Sequence, residues 1–71
     1  MMERFPVSSS AISELRYDAD TQALEVQYSH GGVYQYQGVP QDVFDQLMNA
    51  PSKGVFVNKQ IKNFYVFVQL S

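Results

Sequence analysis

The stretch VYQYQG places Tyr34 and Tyr36 two residues apart, the spacing that puts both rings on one face of a β-strand. Rings displayed this way can stack on unpaired nucleobases, each stack contributing about 1–3 kcal/mol. They can also pack beneath a helix, and the stripe Leu24, Val26, Tyr28 on the preceding segment calls for such cover. A second group follows Pro51. In PSKG, Ser52 can cap a helix, Lys53 falls in its first turn, and Gly54 leaves the backbone approachable. The free N–H groups and positive dipole end of such a turn suit a phosphate, although a plain capped helix with a solvated lysine needs the same residues. Projected at about 100° per residue, Asn58, Lys59 and Lys62 share one outer arc. That small basic face can hold phosphates or simply meet water.

Catalytic chemistry finds little support. His30 is the only histidine, and a lone imidazole provides neither a metal site nor an acid/base pair. Ser8, Ser9 and Ser10 have no nucleophile motif around them, and the acids are scattered. Cysteine is absent, which removes thiolate ligation and disulfides. The sequence predicts a binding module, not an enzyme, with no cofactor, no metal and no small-molecule substrate.

Those residues need elements to hold them. In ISELRYD, residues 12–18, Leu15 and Tyr17 fall on one side of an extended chain. ALEVQYS, residues 23–29, alternates cleanly between Leu24, Val26, Tyr28 and Glu25, Gln27, the period of a half-covered strand. The glycines of SHGG permit the positive φ values of a tight hairpin before VYQYQ. After GVP the period changes. Pro40 suits a helix start, Asp42 complements the dipole, and Val43, Phe44, Leu47 and Met48 form one apolar stripe. Pro51 disfavours helical geometry at Ala50 and ends that helix. A second helix is expected from Ser52 to about residue 62, with Phe56, Val57, Ile61 and Phe64 on one arc and Val55 on the other. The uncharged NFYVFVQLS then reads as a strand or extended tail. Left unpaired it would invite aggregation, so it must join the sheet or another subunit. The predicted fold is α+β: a three-stranded antiparallel meander, two helices and a C-terminal strand.

With 71 residues, a single domain is expected, burying only about 60% of its unfolded surface. Apolar residues make up 45% and charged residues 17%, a globular composition. No apolar run reaches transmembrane length and no signal-peptide pattern opens the chain, so a cytoplasmic location is expected. The net charge of −2 argues against indiscriminate polyanion binding. Its distribution is uneven. All seven acids lie in residues 1–50, which with Arg4 and Arg16 carry −5, whereas Lys53, Lys59 and Lys62 give residues 51–71 a charge of +3.

The segments VSSSAI, RYDADTQALEVQY, GGVYQYQGVP and APSKGVFVNKQI together resemble the KTSC domain over roughly residues 7–62. The family is named for its place at the C-terminus of some lysyl-tRNA synthetases and also occurs as small stand-alone proteins. Its marks here are Tyr34-Gln35-Tyr36, the following Gly-Val-Pro, Pro51–Gly54, and Asn58 through Ile61. The resemblance implies nucleic-acid binding, RNA ahead of DNA. Tyr34 and Tyr36 would then stack on bases if exposed, and Ser52, Lys53, Gly54, Asn58, Lys59 and Lys62 would meet the backbone. Family members often end in basic, polar residues, where this chain continues as FYVFVQL. That departure, with the uneven charge, supports a rival reading: a protein-interaction module, homodimeric through residues 63–71.

Overall fold

The computed structural model describes residues 2–71. Five strands follow one another across a single antiparallel sheet: β1 (Glu3–Pro6), β2 (Ile12–Asp18), β3 (Ala23–Tyr28), β4 (Val33–Tyr36) and β5 (Phe67–Gln69). Between β4 and β5 lie α1 (Gln41–Asn49) and α2 (Lys53–Phe56), the latter running straight into a π-helical turn (Val57–Ile61). The chain is thus α+β as expected, with one strand more than the three of the meander and the C-terminal strand foreseen. β1 is an addition at the front, and the C-terminal segment is a true strand paired with β4.

Register explains which side chains are covered. Tyr17, Leu24, Tyr36 and Phe67 stand opposite one another across four strands, and Leu15, Val26 and Tyr34 form the next row. An irregularity at Ser13 inserts one residue between the pairs Ile12↔Tyr28 and Glu14↔Gln27. That bulge lets Ile12 join Leu15 and Tyr17 in the core, although strict alternation would turn it outward. The hairpin between β3 and β4 needs its glycines: Gly31 and Gly32 have φ of 107° and 92°, which side chains resist.

The helices close this face. Phe44 and Leu47 from α1, with Val57 and Ile61 from the π-helical turn, complete a core with Ile12, Leu15, Leu24 and Val26. Ala50 is extended, as the following proline demands, and Ser52 Oγ accepts the Val55 N–H at 3.3 Å to start α2. The Lys62 N–H reaches the Val57 carbonyl at 2.8 Å, the wide i→i+5 bond of a π turn. Helical geometry ends there, so Phe64 is not on the buried arc assigned to it but 68% exposed.

The opposite face of the sheet is polar. Glu14 pairs with Arg4 at 3.0 Å and Arg16 at 2.8 Å, and Gln35 donates to Glu25 at 3.0 Å. The two guanidiniums hold the Glu14 carboxyl below its ordinary pKa, the hydrogen bond from Arg16 first among the causes.

Candidate nucleic-acid interface

Where the sheet meets the second helical segment, a cleft of about 290 Å³ remains open. The sheet gives it Tyr28 from β3, Tyr34 and Tyr36 from β4, and Phe67 from β5. The β3–β4 turn adds His30. Gly54, Asn58 and Lys62 approach from the helical side.

The aromatic rings form a connected set. His30 stacks on Tyr28 with centroids 5.5 Å apart and planes at 15°. Tyr28 meets Tyr34 edge to face at 5.4 Å, and Phe67 leans against Tyr34 at 5.4 Å and Tyr36 at 5.7 Å. The hydroxyls of Tyr28 and Tyr36 share a hydrogen bond of 3.2 Å. Burial, then that bond, raises the Tyr28 pKa far above the ordinary phenol value, so both its proton and its neutrality persist at any physiological pH.

Charge around the cleft is one-sided, because none of the seven carboxylates lines it. The cations are also unequal. Arg4 and Arg16 are tied to Glu14, and the Lys53 ammonium donates to the Ala50 carbonyl at 3.1 Å. Among the described residues, Lys59 and Lys62 remain without an intramolecular partner, and of these Lys62 lines the cleft.

The residues singled out from sequence are therefore divided. Tyr34, Gly54, Asn58 and Lys62 are brought together. Tyr36 is 2% exposed, which corrects its expected role: its ring packs in the core and has no face left for a base. Tyr34 is only half-buried. Ser52 and Lys59 line a different, shallower groove with Val55 and Phe56. The Ser52 hydroxyl and Lys53 ammonium each bond within the turn between the helices. Gly54 has a packing reason as well, since a Cβ there would stand 3.0 Å from the Ala11 Cβ.

Sequence reasoning missed His30 and Phe67 as cleft residues and read Tyr28 as packing alone. Tyr28 shares the alternating stripe that leads to Tyr34, so a signal existed. Phe67 depends on the pairing Tyr36↔Phe67 across some thirty intervening residues, which no local pattern records.

A five-stranded sheet roofed on one side by two helical segments, with an aromatic cleft at their junction, defines a small α+β scaffold. Residues 8–65 match the family model described as KTSC domain, and the chain belongs to that family. It is similar to the lysine–tRNA ligase of Trichormus variabilis, 45% identical over 62 residues. That match takes in 87% of this chain but only 11% of the ligase. A protein of Stutzerimonas stutzeri is 39% identical over 61 residues, covering 86% of both chains. The crystal structure of a KTSC domain protein from Yersinia pestis superimposes with a TM-score of 0.94, at 41% identity and over the whole of both chains. The domain thus occurs both within large lysine–tRNA ligases and as a small protein.

Proposed function

We propose that this KTSC domain is a non-catalytic module for single-stranded nucleic acid, RNA ahead of DNA, acting in the cytoplasm. The observation that carries the reading is the convergence of Phe67, His30 and Tyr34 with Asn58 and the unpaired Lys62 in a cleft free of carboxylates. Aromatic rings beside a cation are what an unstacked base and its phosphate require. The presence of related domains in ligases named for tRNA favours RNA. An amide-shift titration at low salt with single-stranded RNA and with duplex DNA tests it. Shifts at residues 28–36, 54–62 and 67 with RNA are expected; no response to either polymer would overturn the proposal.

A second reading has its own observation. Phe64, Val66, Phe67, Val68 and Leu70 are all 45% exposed or more, on and around an edge strand that carries no charge. A second copy pairing along β5 would cover them. Sedimentation at rising concentration tests this: a dimer that Val68→Lys abolishes supports it, and a monomer throughout refutes it.

A further inference from the structure

The size of the cleft limits what it can take. At about 290 Å³ it lies at the lower end of the roughly 300–1,000 Å³ typical of ligand pockets, room for one small planar group and not for a run of stacked bases. Its walls suit such a group, with Phe67 47% exposed on one strand and His30 exposed on the hairpin.

Polar groups are placed for one base as well. The Tyr28 and Tyr36 hydroxyls carry two protons between them, and their mutual bond uses one. Tyr36 is closed off in the core, so it is the half-buried Tyr28 hydroxyl that keeps hydrogen-bonding capacity towards the cleft. Asn58 offers an amide donor and acceptor that have no partner among the described residues, the pair used in a bidentate contact to adenine. Lys62, one helical turn further along the same segment, supplies the charge for a phosphate attached to that base.

Resting on the nucleic-acid reading above, we propose that the cleft is a single-nucleotide pocket. It accepts one unstacked adenine of an RNA strand, read by the Asn58 amide and the Tyr28 hydroxyl, with the adjoining phosphate on Lys62.

The test compares AMP, adenosine and a short oligoadenylate by amide shifts and competition at low salt. AMP should saturate one site, displace the oligoadenylate, and bind more tightly than adenosine by a margin that Lys62→Ala removes. Asn58→Ala should weaken AMP about three- to tenfold, the loss of one neutral hydrogen bond. Asn58 and Lys62 are exposed, so these variants keep the fold; Tyr28→Phe serves as a third variant. Oligoadenylate binding that AMP does not displace, or that Asn58→Ala leaves unchanged, overturns the single-nucleotide pocket while the nucleic-acid reading stands. AMP in the cleft without any oligoadenylate binding overturns the RNA strand as occupant of this pocket, and the nucleic-acid reading falls with it only if mixed-sequence RNA and duplex DNA are silent as well.

Discussion

Tyr17 and Phe44 lie face to face, their ring centroids 4.3 Å apart and their planes within 5°. The Tyr17 hydroxyl also donates to the Val39 carbonyl at 2.6 Å, just before α1 begins. One residue of β2 thus fixes both the start of the helix and its buried face. Phe44→Ala should cost about 3–5 kcal/mol, a large share of the roughly 4–10 kcal/mol expected for a chain of this size. Tyr17→Phe keeps the stack and removes the hydrogen bond, at a cost of about 1–3 kcal/mol from the stranded carbonyl. Urea denaturation of the two variants measures the difference.

Alkaline pH should destabilise the protein through its tyrosines. Burial raises the Tyr17 pKa, and burial together with the Tyr36 hydroxyl raises that of Tyr28. A raised folded-state pKa gives stability that is complete below the unfolded value of about 10 and is lost as pH climbs from there towards the folded one. Stability should therefore be flat from neutral pH to about 10 and fall beyond it. Tyr28→Phe should make that fall shallower, as read from the unfolding midpoint against pH and from tyrosinate absorbance.

The lysines should separate by function. Lys62→Ala should weaken RNA binding and lower the slope of log affinity against log salt by about one, the signature of one lost phosphate contact. Lys53→Ala should leave that slope unchanged, because its ammonium is held by Ala50. Ser52→Ala should cost about 1 kcal/mol of stability through the lost cap, again without altering affinity. Salt-dependent titrations beside denaturation curves give both readouts. A lowered salt slope for Lys53→Ala would show that the PSKG turn touches the nucleic acid after all.

Gly54 should tolerate little. Valine at this position would press on Ala11, from which even a bare Cβ stands only 3.0 Å away. The expected loss is about 1–3 kcal/mol, typical of overpacking. A midpoint equal to that of the parent protein would show that the segment before β2 yields freely.

Local patterns made the centre of this fold legible, and the limits of local patterns explain the rest. Alternation in ALEVQY and VYQY, and the stripe Phe44–Leu47, correspond to β3, β4 and α1. β1 spans only ERFP, too short to show a period and ending in a proline, and it is fixed by pairing such as Arg4↔Arg16. Phe64 was misplaced because a constant 100° step assumes a helix that in fact ends with the π turn at Ile61. For the site, sequence offered Tyr34, Gly54, Asn58 and Lys62, but the choice between Lys62 and Lys59 lay in tertiary packing. So did the burial of Tyr36, which shares its stripe with the half-buried Tyr34.

The strand order has a kinetic consequence. β2, β3 and β4 each pair with the strand just before them in sequence, so their hairpins close over short loops and can zip early. β5 pairs with β4 only after both helical segments have been laid down. Phe67 is then among the last side chains to arrive, and the cleft it walls is completed at the end of folding. A nascent or partly unfolded chain would carry most of the sheet yet lack the finished pocket.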